Sequence, residues 1–226
     1  MKLVHPDFFV PIEFRENRIE TIVIEKPEIL SDMIVQLKSH VDGPADYGWV
    51  LSDNNKLLDM AKVCDIIIDP FAVDINNKRL QNALWEILET EINSTEKLFE
   101  WNDLCGKITQ VMERFLTQID FQVTYSDKIL VKDFLKLLKV RFQEDDIDFV
   151  DKLLDFLRLE HEVLKIKLFV LVNIKGYLTI EQLNFLYQQS CYEKYQLLLL
   201  ESQVDNQKRI GGEHLLIIDN DSCVIS

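Results

Sequence analysis

The stretch that decides the fold is residues 165–201, KIKLFVLVNIKGYLTIEQLNFLYQQSCYEKYQLLLLE. Near-continuous apolar runs lie at its two ends, which is typical of strands buried on both faces of a parallel sheet. Between them, Thr179 and Gln182 have the spacing of a capping box, and Leu183 and Leu186 follow at helical spacing. The order strand, helix, strand predicts a βαβ unit and hence an α/β fold with a mostly parallel sheet.

The rest of the chain divides into two parts by its pattern of apolar residues, proline and glycine. Residues 1–76 contain several short apolar runs that predict further strands, whereas residues 77–164 lack proline and have Gly106 as their only glycine. Apolar residues recur at helical intervals through this middle part, and Asn76 is the expected N-cap of its first helix. We therefore expect an α/β head formed by residues 1–76 and 165–226, with a helical leg, residues 77–164, inserted between them.

Composition and charge limit the possible partners. The formal net charge of −14 would repel nucleic-acid phosphates if it were spread uniformly, so contact with DNA needs basic residues gathered in one place. No apolar run approaches the ~20 residues of a membrane span, and no signal-like segment follows Met1. These features predict a cytoplasmic protein with no membrane partner.

Parallel α/β sheets often bind nucleotides at the carboxyl ends of their strands, but the residues for this are missing here. None of the six glycines belongs to the GxxxxGK[ST] pattern of a phosphate-binding loop. The equivalent position precedes a helix that begins near Pro27, and it contains Glu25 and Glu28 where a phosphate would need N–H donors. We expect neither nucleotide binding nor ATP hydrolysis.

Acidic residues flank one predicted strand, and they allow two interpretations. Asp65, Asp69 and Asp74 could hold a magnesium ion, which would make the chain a divergent metal-dependent ATPase or nuclease. Turn and helix-cap geometry explains the same residues, because Asp favours such positions. No general base or second acidic cluster has a linked spacing, so capping is the favoured interpretation and the enzyme remains an alternative.

Basic residues are concentrated towards the end of the helical part. Four lysines recur at intervals of four, four and three: Lys128, Lys132, Lys136 and Lys139. A helix is predicted over about 129–138. If it ran continuously from the first lysine to the last, with Ser126 and Asp127 as its cap, all four would share one face. Arg141 follows. By itself the pattern fits an ordinary solvated face as well as a phosphate-binding one.

These residues together resemble a known family, the accessory adaptation proteins of type II-A CRISPR loci (the Csn2 family). The resemblance rests on three blocks in combination: residues 64–76 (CDIIIDPFAVDIN), 169–201 and 215–219. It implies a head similar to a P-loop ATPase with an extended helical leg, and a homotetrameric ring that encloses linear double-stranded DNA and binds calcium. Such proteins are non-catalytic partners of the CRISPR integrase complex and the RNA-guided effector nuclease in spacer acquisition, a defence against viruses.

The resemblance also implies where the DNA would lie. The inner wall of a ring must be basic in an acidic protein, so it favours phosphate contacts by the residues Lys128, Lys132, Lys136, Lys139 and Arg141. Such contacts would be independent of DNA sequence and sensitive to salt. A protein-only scaffold for the adaptation complex, which contacts no DNA, is the second alternative.

Calcium ligands are fewer than the resemblance implies. Family members have a dense acidic run beside the end of the long leg helix, whereas the matching stretch here, 118–127, keeps only Asp120 and Asp127. These two residues are the metal-site candidates, although calcium needs several oxygen ligands. Four acids downstream could compensate or could be the acidic first turn of a helix: Glu144, Asp145, Asp146 and Asp148.

Overall fold

The computed structural model describes residues 1–6, 10–43, 45, 47–144, 148–205, 208–221 and 224–225. The chain divides into two compact units, one formed by Met1–Ile75 with Asp145–Ser226 and the other by Asn76–Glu144. We name them the sheet unit and the helical unit. In the described part of the chain, no helix combines the length and the apolar character that a membrane crossing requires.

The described elements are given in chain order. The first part of the sheet unit contains β1 (Lys2–Val4), β2 (Ile12–Glu13), β3 (Ile19–Ile24), α1 (Pro27–Asp42), β4 (Val50–Asp53), β5 (Lys56–Leu58), α2 (Met60–Val63) and β6 (Cys64–Ile67). The helical unit contains α3 (Lys78–Ile92), α4 (Thr95–Leu116) and α5 (Val131–Leu137). The second part of the sheet unit contains α6 (Phe149–Leu164), β7 (Leu168–Val172), α7 (Ile180–Glu193), β8 (Gln196–Glu201), β9 (Glu213–Ile218) and β10 (Val224–Ile225).

The central feature of the sheet unit is a six-stranded sheet in the order β10-β9-β3-β8-β7-β6. All neighbouring strands from β9 to β6 pair in parallel, and only β10 is antiparallel. The βαβ unit β7–α7–β8 is therefore confirmed. Its capping box is confirmed too, because the Thr179 hydroxyl accepts a hydrogen bond from the Gln182 N–H (3.3 Å) and the Gln182 side chain accepts one from the Thr179 N–H (2.9 Å).

Both faces of this sheet are covered, which explains the apolar runs of β7 and β8. One face forms the main core with α1, whose buried residues Leu30, Met33 and Leu37 belong to the same cluster as Val170 and Leu198. Because successive side chains of a strand point to opposite faces, every second residue points to the other face of the sheet, where α7 packs against β8. The sheet is thus a rigid support for the loops at its two edges.

A second, antiparallel sheet of four strands, in the order β2-β1-β4-β5, contributes to the same core. The sequence did not predict β1 and β5. These strands have three residues each, so their apolar pattern is too short to separate them from loops.

The boundary of the helical unit differs from the predicted leg. The leg was expected to end at Leu164, whereas the helical unit ends at Glu144 and α6 belongs to the sheet unit. The physical reason is that α6 buries Val150, Leu153 and Leu157 and packs with α7. Helical spacing alone cannot say which neighbour an apolar face will meet.

The first helix of the helical unit is capped one residue later than expected. Asn77, and not Asn76, caps α3, because the Asn77 side chain accepts hydrogen bonds from the N–H groups of Arg79 and Leu80. The longest helix, α4, has no buried side chain among those described, and only edge contacts such as Trp101 against Phe134 (5.3 Å between ring centroids) tie it to α5.

Candidate nucleic-acid interface

The predicted four-lysine face does not form, because α5 is shorter than required. Leu130 is the N-cap residue, so Lys128 lies before the helix and the expected cap at Ser126 and Asp127 is wrong. At the other end Lys139 has a left-handed backbone (φ 53°), and the Val140 N–H bonds back to the Leu135 carbonyl (3.0 Å). A left-handed residue just after a helix terminates it. Only Lys132 and Lys136 therefore lie on α5.

Both helical lysines have partners within the helical unit. The Lys132 ammonium lies 3.4 Å from Glu86 and 3.5 Å from Glu89, two carboxylates on α3. Lys136 pairs with Asp133 (3.1 Å), and its ammonium lies 5.9 Å from the centre of the Trp85 ring. Exposed pairs of this kind contribute about 0–1 kcal/mol to stability, but they cancel much of the positive field a phosphate would feel.

Two of the three remaining candidates lie on a short segment that other residues hold in place. We define it as the pinned segment, residues 139–142. The Trp85 indole N–H donates to the Val140 carbonyl (3.0 Å). Asn76 accepts a hydrogen bond from the Phe142 N–H (2.9 Å) and donates one to the Phe142 carbonyl (3.1 Å). Val140 and Phe142 are half-buried as a result, while the alternate residues are exposed.

Lys139 and Arg141 are these exposed residues, and neither forms an ion pair with any residue that the structure describes. Lys128 is likewise exposed and without an ion pair in the described ranges. Sequence reasoning found the cations but missed Asn76 and Trp85 as the groups that position two of them. Asn76 was interpreted as a helix cap, and no local pattern indicates a hydrogen bond to a residue 66 positions away.

Charge is distributed unevenly along the chain. Residues 76–144 contain ten Lys and Arg residues against eleven Asp and Glu residues, a formal charge of −1, so the remaining residues carry −13. The sheet unit therefore repels phosphate strongly, whereas the helical unit is almost neutral and can present local positive patches. The pinned segment is such a patch.

The two calcium candidates do not belong to an acidic cluster in the described part of the chain. Asp120 and Asp127 are exposed, and the described residues contain no group of three or more His, Cys, Asp or Glu side chains that could hold a metal ion. Calcium takes six to eight oxygen ligands. Of the possible compensating acids, Asp148 caps α6 through the N–H groups of Val150 and Asp151. Asp145 and Asp146 lie outside the described residues.

The turn between β3 and α1 offers few donors for a phosphate. The Glu25 N–H already donates to the Ile218 carbonyl (3.0 Å), and Pro27, in the first turn of α1, has no N–H. The Glu25 carboxylate accepts a hydrogen bond from Asn220 (3.3 Å) and keeps negative charge at this position. A phosphate-binding loop needs the opposite arrangement.

The acids around β6 are separated by the strand itself. Asp65 is the second residue of β6 and Asp69 follows its end, so about 13 Å of extended chain lies between them at ~3.3 Å per residue. Asp69 accepts a hydrogen bond from the Phe71 N–H (3.0 Å), as the cap of the turn Pro70–Ala72. Such an arrangement supports the capping interpretation, since one ion cannot bind both carboxylates at ligand distances of about 2–2.6 Å.

Comparison with known proteins agrees with the resemblance. No curated protein matches the chain. The family described as CRISPR-associated protein (Cas_Csn2) matches residues 45–222, which is more than three quarters of the chain and includes most of both units. The chain therefore belongs to the CRISPR-associated Cas_Csn2 family.

Proposed function

We propose that this chain is a non-catalytic protein that binds double-stranded DNA and acts as a homotetrameric ring in spacer acquisition. The observation that carries the proposal is the pinned segment, which holds Lys139 and Arg141 exposed and without ion pairs in the described part of the helical unit. Membership of the Cas_Csn2 family supports the CRISPR-associated role.

Phosphate contact is the chemistry that this segment suits. Lys and Arg donate charge-assisted hydrogen bonds to phosphate oxygens, and they carry no sequence information when they meet only the backbone. Lys128 is a third candidate contact, whereas Lys132 and Lys136 would have to leave their carboxylate partners first. We therefore expect Lys128, Lys139 and Arg141 to contribute most of the salt-sensitive affinity for DNA.

Exposed apolar surface supports the ring. On α4, Leu104, Val111 and Phe115 recur at helical spacing and are 39%, 39% and 60% exposed. Contiguous apolar surface of this kind is usually covered by a partner, and symmetric homo-oligomers are the commonest solution. The proposal assigns the helical unit the role of the leg and the sheet unit that of the P-loop-ATPase-like head. The integrase complex and the RNA-guided effector nuclease would be its partners.

A gel-shift experiment with one duplex in linear and covalently closed circular form tests the proposal. We expect binding of the linear form and no competition by the closed circle. We expect no change on adding ATP, because Glu25 and Pro27 occupy the position of a phosphate-binding loop, and little change on adding a chelator, because Asp120 and Asp127 are the only acids of residues 118–127. Failure to bind linear duplex at moderate salt would favour the protein-only scaffold. Shortening of the DNA in the presence of Mg²⁺ would favour the nuclease.

A further inference from the structure

A groove between α6 and α7 lies wholly within the sheet unit. It encloses a cavity of about 390 Å³, with Leu154 on one wall, Phe185 on the other and Tyr195 at the end beyond α7. The volume is at the lower end of the range for ligand pockets, roughly 300–1,000 Å³. It therefore suits one long side chain better than a large cofactor.

The groove is electrostatically negative. Three carboxylates and one cation line it: Asp151, Asp155, Glu193 and Arg158. Arg158 is engaged with Asp155 (2.9 Å), while Asp151 and Glu193 form no ion pair with the described residues. Glu193 is also the last residue of α7, where the helix dipole adds negative potential. The groove attracts cations and repels phosphates.

A buried tyrosine completes the site. Tyr195 is only 3% exposed, and its ring packs on Phe169 (5.0 Å) and His161 (5.6 Å). Its side chain lines the groove, and its hydroxyl has no hydrogen-bond partner among the described residues, so it is available to a ligand. Burial, reinforced by the nearby Glu193, raises the pKa of Tyr195, so the hydroxyl stays neutral and can accept a hydrogen bond from a cation.

We propose that this groove binds a lysine- or arginine-bearing segment of a partner protein, with the side-chain stem between Leu154 and Phe185 and its cationic head at Asp151, Glu193 and the Tyr195 hydroxyl. Lys and Arg combine an apolar stem with a charged tip, which matches the apolar walls and acidic rim. Phe185 is 44% exposed and offers a ring face to a cation. The inference is independent of DNA binding by the helical unit.

Fluorescence anisotropy of a labelled decapeptide of alternating arginine and serine, at 0.15 M salt, tests the proposal. We expect D151N combined with E193Q to weaken binding at least about tenfold, because two charge-assisted hydrogen bonds are lost. The matched control, E28Q with D32N, removes two exposed carboxylates of α1 and should change affinity less than about twofold at this salt. Y195F, which keeps the ring packing, should weaken binding about three- to tenfold.

Equal weakening by both pairs of substitutions would mean attraction to net charge alone and would overturn the proposal. The proposal would also be overturned if neither Y195F nor the pair D151N with E193Q weakened binding of the peptide. Self-association of the wild type that D151N with E193Q abolishes would replace the partner protein with a second copy of this chain. Circular dichroism of each variant shows that the fold is retained, and linear-DNA binding should be unaffected throughout.

Discussion

At the scale of single residues, Glu201 is a buried acid of the sheet unit with a raised pKa. It is 5% exposed at the end of β8, and its carboxylate accepts a hydrogen bond from the Lys175 N–H (3.1 Å). The Lys175 ammonium pairs with Glu213 rather than with Glu201. Burial raises the pKa of Glu201 to about 7, against the lowering effect of Lys175 and with a further rise from Glu213.

The sign of the resulting pH dependence follows from these values. The unfolded pKa of a glutamate is about 4.3, below the folded value, so the native state holds the proton more tightly. The contribution to stability is complete below about pH 4.3 and is lost as the pH rises through about 7.

We expect E201Q, which keeps the hydrogen-bond acceptor, to raise the free energy of unfolding at pH 8 by about 1–3 kcal/mol and to change it little at pH 4.5. Urea unfolding at both pH values measures this, with E162Q as the exposed control. Equal effects of E201Q at the two pH values would contradict the assignment.

At the scale of elements, the pinned segment depends on Asn76 more than on any charged residue. N76A leaves the Phe142 N–H and carbonyl without their partner, which should cost about 1–3 kcal/mol and free the segment. We expect faster hydrogen exchange of the Phe142 amide and weaker binding of linear duplex, although no charge has been changed. N77A, which removes the cap of α3 but leaves the bonds between Asn76 and Phe142 in place, is the matched control and should spare the affinity for DNA. Loss of affinity in both variants would indicate that general destabilisation of the helical unit is responsible.

The same elements show why the fold was more predictable than the site. β7, α7 and β8 were predictable because long apolar runs and a capping box within four residues decide them locally. The end of α5 was predicted to within one residue, near 138 against the observed Leu137. The course of the chain after it was not predictable, because it depends on hydrogen bonds that join Val140 to Trp85 and Phe142 to Asn76, more than 50 positions earlier. The lysine spacing would give one shared face only in a helix from 128 to 139, and the observed helix is shorter at both ends. The lysines themselves were found, and their arrangement was not.

At the scale of the whole molecule, the exposed apolar face of α4 supports the proposed oligomer. We expect the purified chain to be a tetramer by light scattering at micromolar concentration. V111D with F115D should dissociate it with an unchanged far-UV spectrum, because both side chains are exposed in the single chain and contribute to no core. Y192D, at a still more exposed aromatic residue on α7, is the control. A wild-type monomer would contradict the ring, and a tetramer that survives both substitutions would place its interface elsewhere.

The central claim, that the helical unit holds DNA phosphates with Lys139 and Arg141, is tested most directly by the salt dependence of binding to linear duplex. Each lost phosphate contact should make the slope of log K against log[salt] shallower by roughly 0.9. K139N with R141Q removes both charges, and asparagine tolerates the left-handed backbone at position 139. The account predicts a shallower slope for this pair and an unchanged slope for K56Q with R209Q, two exposed cations of the sheet unit. An identical slope in the wild type and in K139N with R141Q would contradict the account.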